Sequence, residues 1–228
     1  MLFLSINFVT QTSNQMTEHH AWHNNVIGEK AVAKLKKHGF EAFFFSTKEE
    51  AVEHISDQFS PGLKVAFGGS LTARQLGLRE LAKISNCVII DHGLPDLSEN
   101  ERLDIMRQEL MSDLFISSSN AITLDGSIVN ADGYGNRVAA MIFGPRKVIV
   151  VAGINKVVEN EESALSRLKN TAAPMNMKRL NRDTPCSIDG ICHDCNSEER
   201  GCRAYTILRR RPAHTPTQVI IIGENLGM

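Results

Sequence analysis

No stretch of this chain approaches the ~18 consecutive apolar residues of a membrane-spanning helix, so no membrane partner is expected. The short apolar opening, Leu2 to Val9, lacks a basic flank and a small-residue cleavage site. That argues against a signal peptide and for a cytoplasmic protein whose residues 1–16 form a flexible tail ahead of a single domain at 17–228. Charge of one sign is also missing. Lys+Arg numbers 25 and Asp+Glu 26, for a net charge of −1, which excludes the basic footprint of a nucleic-acid binder. Internal repeats and low-complexity stretches are absent. So are the common catalytic signatures: no Gly-x-Ser-x-Gly elbow, no Walker A loop and no Gly-x-Gly-x-x-Gly after the first strand pattern.

What remains is an ordinary globular composition, 42% hydrophobic and 22% charged over 228 residues. Trp22, Val26, Ile27, Ala31 and Leu35 recur at helical spacing, and Lys36-Lys37-His38-Gly39 reads as a helix stop with cations at the negative end of the dipole. Short apolar runs follow at 40–45, 64–67, 87–91, 113–117, 147–152 and 218–222, and helical patterns separate most of them. Thr47 with Glu50, and Ser98 with Glu101, have the spacing of capping boxes. A helix is expected from Thr72 through Leu81, and another from Glu161 to Ala173, ended by Pro174. Asp125-Gly126 between two apolar triplets predicts a hairpin, because both central residues of that turn need positive φ. Strands alternating with helices predict an α/β fold: a mostly parallel sheet with helices on both faces, plus the hairpin.

Residues 175–216 show little periodicity and hold four of the five cysteines, spaced Cys186-x5-Cys192-x2-Cys195-x6-Cys202. A domain of this size needs no disulfide staples, so the spacing points to four thiolates around zinc or an iron–sulfur cluster. The segment carries eight Lys/Arg against five Asp/Glu, a positive balance suited to the net negative charge of such a centre. Redox disulfides and four unrelated thiols are the other readings, and His193 or His214 can substitute as a ligand. Cys87 lies in a strand pattern and reads as a small core residue. His19, His20 and His23 have metal-compatible helical spacing, but an exposed polar face accounts for them more simply.

Ligands of open α/β sheets bind beyond the C-terminal ends of the strands, and three such places stand out. Gly68-Gly69-Ser70-Leu71-Thr72 follows a strand and opens a helix, an arrangement that lets backbone and hydroxyls approach an anion. Asn120 to Arg137 brackets the hairpin with polar groups. There Gly133 and Gly135 free the loop, and Asn136 and Arg137 are placed to clamp a carboxylate or phosphate. Glu224, after the last strand, is a third candidate, with solvated charge as its plainer explanation. No catalytic set emerges.

The string NAITLDGSIVNADGYGNRVAAMIFGPRKVIVVAGINK (120–156), the GGSLT turn, AAPMNMKRL (172–180), the cysteine run and the terminal VIIIGENLG together resemble the lactate-utilisation (LUD) domain family, in its short branch that carries the cysteine cluster. The resemblance implies a fold similar to phosphosugar isomerases and CoA-transferases. It also implies a place in bacterial L-lactate oxidation alongside iron–sulfur partner proteins. The expected function is an accessory or electron-transfer component of 2-hydroxy acid utilisation, with a small anionic ligand in the strand-end pocket. A homo-oligomer is expected by analogy with relatives of the fold. The competing reading is a stand-alone enzyme for a phosphorylated or acyl-CoA ligand, with a structural zinc.

Overall fold

The computed structural model describes residues 18–228; the expected tail at 1–16 lies outside them. In chain order the elements are α1 (Glu18–Lys37), β1 (Glu41–Phe45), α2 (Lys48–Ser56), β2 (Lys64–Phe67), α3 (Leu71–Gln75), α4 (Leu78–Ile84), β3 (Val88–Ile90), α5 (Glu99–Glu109), β4 (Leu114–Ser117), β5 (Ala121–Thr123), β6 (Ile128–Asp132), α6 (Asn136–Ile142), β7 (Lys147–Gly153), β8 (Val157–Val158), α7 (Glu161–Arg167), α8 (Ala173–Arg179), α9 (Pro185–Asp189), β9 (Ala204–Leu208) and β10 (Thr217–Ile222). A 3-10 turn, Ile154–Lys156, follows β7.

Six strands form one parallel sheet in the order β1-β10-β7-β4-β2-β3. The strands are continuous apolar runs because both faces are covered. Val148, Val150, Ala152, Val219 and Ile221 pack with Ala31, Val32 and Leu35 of α1 and with Ala140 and Met141 of α6. The alternate residues Ile149, Val151, Ile220 and Ile222 pack with Ala51 and Ile55 of α2 and with Ala73, Leu78 and Ala82 of α3 and α4. Each such side chain, fully buried, contributes roughly 1.5–3 kcal/mol, so the central pair β7–β10 anchors the molecule.

The expected hairpin is β5–β6, but it belongs to a second sheet, β8-β5-β6-β9. Ile122 and Ile128 face the main core, while Ala121 and Val129 pack under Ala164 and Leu168. Strands β8 and β9 went unread in the sequence because one has two residues and the other is only half-buried.

Both predicted capping boxes form, with Thr47 accepting from Glu50 and Ser98 from Glu101. Three helix expectations change. Trp22 and Val26 are 65% and 47% exposed, and α1 instead buries Gly28, Ala31, Val32 and Leu35. The helix after Thr72 breaks at Leu76–Gly77 into α3 and α4. Pro174 does not end the helix begun at Glu161: residues Leu168–Ala172 widen into a π turn, and α8 continues through the proline. The wider turn relieves the clash between the proline ring and the carbonyl one turn back.

Candidate functional site

The chain passes from β2 outward to β3 and then returns to β4 on the other side of β2. This reversal falls at the C-terminal ends of β2 and β4, the place where open α/β sheets take their ligands. Gly68, Gly69 and Ser70 leave β2 there, and Ser118 leaves β4. Gly68 is buried, and a Cβ on it would stand 2.7 Å from Ser117 Oγ. Ser70 caps α3, accepting from the Ala73 N–H at 3.0 Å, and Gly69 is exposed.

Thr72 is completely buried, and its hydroxyl meets a residue absent from the sequence-based candidates, Lys156. Lys156 Nζ donates to Thr72 Oγ1 at 2.9 Å and to Ser118 Oγ at 3.0 Å, and Ser118 Oγ lies 3.3 Å from Thr72 Oγ1. Only 5% of Lys156 is exposed. Burial, followed by the positive charges of Arg167 and Arg137, lowers its pKa to about 7. Among the described residues no carboxylate acts on the amine itself, although Asp132 faces Arg137. The 3-10 turn after β7 aims this lysine inward, and a turn in an apolar-flanked Gly-Ile-Asn-Lys run gives no periodic signal.

Arg137 sits at the same strand ends, with 14% of its side chain exposed. Its Nη1 donates to Ser118 O (2.9 Å) and Asn130 Oδ1 (2.7 Å); its Nη2 donates to Asn120 Oδ1 (3.3 Å) and Ala131 O (2.8 Å). Its Nε stands 3.8 Å from Asp132 Oδ2. Four of its five N–H groups are therefore engaged in joining β4, β5 and β6. Burial lowers its pKa, and Asp132 opposes that shift. Asn120 also accepts from the Ala131 N–H at 2.9 Å. Gly133 brings β6 against Gly201, Gly135 precedes α6, and Asn136 opens that helix. Asn120, Arg137, Thr72 and Gly68 thus converge on one region. Glu224 does not join it: Oε1 accepts the Lys48 N–H at 2.7 Å at the start of α2.

Arg167 completes the cationic group. Nε donates to Asn155 O at 3.1 Å, Nη1 to Asn120 O at 2.7 Å and Nη2 to the main-chain oxygen of Met228 at 2.9 Å. Burial lowers its pKa as well. Its outer side lines an open cleft of about 480 Å³ with Glu162, Ser163, Ser166, Asn170 and Thr171. A larger cleft, about 620 Å³, lies beside α2 among Glu29, Glu50, Glu53, His54 and Asp57 and contains none of the expected ligand residues.

The four clustered cysteines are free and half-buried. Cys186 is on α9, 3.5 Å from Thr184 Oγ1. Arg200 staples the following stretch, donating to Cys195 O at 2.5 Å, Cys202 O at 3.1 Å and Asp194 Oδ1 at 2.8 Å. His193 is held by Asp189 at 2.6 Å. Among the described residues no three His, Cys, Asp or Glu side chains are placed to share a metal ion. The donor chemistry suits a soft metal, but the arrangement as it stands does not enclose one.

The profile of the LUD domain family matches residues 28–222. The crystal structure of a DUF162 family protein from Deinococcus radiodurans is similar over 87% of this chain and 98% of that one, at 14% identity and a TM-score of 0.50, a likeness of fold alone. The eIF2B beta structure from Chaetomium thermophilum aligns over 52% of this chain and 45% of its own, at 15% identity and a TM-score of 0.37. The eIF2B delta structure from the same organism aligns over 52% and 50%, at 18% identity and 0.31. Neither of these two bears on function. No curated protein matches the chain.

Proposed function

The chain belongs to the LUD domain family, and from that premise we propose that it binds a small carboxylate of the 2-hydroxy or 2-oxo acid class as a component of lactate utilisation, acting with iron–sulfur proteins of that oxidation. One observation carries the reading: the amine of Lys156 is buried beside Arg137 and Arg167 at the strand ends of the parallel sheet, and among the described residues no carboxylate acts on that amine, Asp132 standing against Arg137. Like charges gathered out of water are costly, and a bound anion relieves that cost. The hydroxyls of Thr72 and Ser118 add neutral donors at the same point.

The test is a thermal titration with L-lactate, pyruvate, a sugar phosphate and coenzyme A. Saturable stabilisation by the two carboxylates, lost in Lys156→Met, supports the reading. Stabilisation by the phosphorylated compounds alone moves the protein to the competing class of stand-alone enzymes. No stabilisation by any of them removes the anion site.

The cysteine segment supports a second element of the proposal. Four thiols lie within Cys186–Cys202, and no helix or strand runs from Gly190 to Arg203. Such a stretch has no helix or strand to break in closing around zinc or an iron–sulfur cluster, where metal binding and local ordering are coupled. Metal analysis and a visible spectrum of protein purified without oxygen test this: one zinc, or iron with broad visible absorbance, supports it, and absence of both metals ends it.

A further inference from the structure

We propose that Lys156 is a nucleophile that forms a reversible imine with a 2-oxo acid, beneath a main-chain strap, Leu226–Met228, that must lift for the acid to enter. The proposal rests on the anion-site reading and deepens it.

The hydrogen bonding suits a neutral amine. An ammonium has three N–H donors, whereas a neutral amine has two and a lone pair. Among the described residues Lys156 Nζ has two hydrogen-bond partners, both hydroxyls. Two acceptors match the two N–H donors that a neutral amine carries. Neighbouring guanidinium groups act in the same direction, since a cation beside a lysine favours its uncharged, nucleophilic form.

The strap covers this amine. A Cβ on Gly227 would stand 2.4 Å from Thr72 Oγ1 and 2.8 Å from Lys156 Nζ, so only glycine lets the chain pass this close. Three side-chain contacts hold the strap down: Leu226 N–H on Asn155 Oδ1 (3.0 Å), Gly227 N–H on Gln75 Oε1 (2.6 Å), and Met228 O on Arg167 Nη2 (2.9 Å). Leu226, Gly227 and Met228 themselves lie outside any helix or strand, so lifting them costs these contacts and the core packing of Leu226 but leaves the pairing of β10 intact. Lifting it frees Arg167 Nη2 for an incoming carboxylate, and the open cleft already reaches Arg167 from outside.

The chemistry balances without an added oxidant or reductant. The Nζ lone pair attacks the carbonyl carbon and a C–N bond forms. The carbonyl oxygen then leaves as water, carrying the two protons that the amine gives up. Thr72 and Ser118, 3.3 Å apart, stand where those protons move. A carbonyl compound with a carboxylate on the adjacent carbon supplies both the electrophile and the anion for Arg167.

The experiment uses the full chain incubated with pyruvate and sodium cyanoborohydride, followed by peptide mass mapping. The reagent reduces an imine to a stable secondary amine. The expected result is a Lys156 peptide heavier by pyruvate less one oxygen atom, absent with L-lactate and absent in Lys156→Arg. Mapping of the unmutated protein decides the matter even if that variant fails to fold. Pyruvate that raises the melting temperature but leaves Lys156 unlabelled overturns the imine and leaves the anion site standing. Labelling of surface lysines at the same rate as Lys156 also overturns it. If neither acid stabilises the protein and Lys156 stays unlabelled, both readings fall.

Discussion

His92 Nδ1 lies 2.5 Å from Oε1 of Glu109, a carboxylate only 1% exposed on the inner side of α5. Burial alone lowers the histidine pKa, but the hydrogen bond and charge of Glu109 outweigh it, and the net shift is upward from 6.5. The sign of the linkage follows. The pair stabilises the fold fully below pH 6.5, and that contribution is lost as pH rises through the higher native value. The stability advantage of the unmutated protein over Glu109→Gln, read from urea midpoints, is expected to shrink as pH rises from about 5 to 9.

Lys156 works in the opposite sense. Its native pKa is about 7 against 10.5 for a free lysine, so between those values the unfolded chain binds the extra proton. Stability therefore rises with pH over that range, by up to ~1.4 kcal/mol per pH unit. In Lys156→Met this rise disappears and the protein gains stability at pH 6. Denaturant curves at pH 6, 7.5 and 9 provide the measurement.

Replacing Arg137 tests whether it acts mainly on the fold. Arg137→Met leaves the carbonyls of Ser118 and Ala131 and the amides of Asn120 and Asn130 without this partner. The expected loss is about 3–5 kcal/mol. Arg137→Lys recovers little of it, because an ammonium cannot match a planar fork to acceptors on three strands. Chemical denaturation reads both variants.

Glu224 separates capping from ligand binding. Its carboxylate accepts the Lys48 N–H at the positive end of α2. Glu224→Ala is expected to cost about 0.5–2 kcal/mol. Glu224→Gln keeps the acceptor and loses only the charge, so it costs less. Lactate or pyruvate titration of the alanine variant is expected to give the midpoint of the unmutated protein.

The six parallel strands were legible as short apolar runs, and the inner ones, such as Lys64–Phe67 and Lys147–Gly153, as strands covered on both faces. The turn after β2 was legible in Gly68 and Thr72, whereas the lysine that Thr72 meets was not. Lys156 has no periodic context, and its character comes from burial first and then from Arg167 and Arg137, 11 and 19 positions away in the chain. From sequence alone Arg137 reads as a clamp for an anion, and the main-chain carbonyls and side-chain amides that occupy it are visible only once β5 and β6 pair. Pro174 misled for a local reason: the π turn that accommodates it leaves no mark in residue type.

The hairpin tip has a consequence for how the molecule comes apart. Gly126 presses into the end of α1, where a Cβ would lie 2.9 Å from the main-chain carbon of Lys34, and its carbonyl meets His38 Nδ1 at 3.0 Å. Helix α1 in turn lies on β1 and β10. The smaller sheet is thereby latched to the larger one through a helix that neither contains. Heating is expected to melt the two together in one cooperative transition, and Gly126→Val, by prising the latch open, to split it into two.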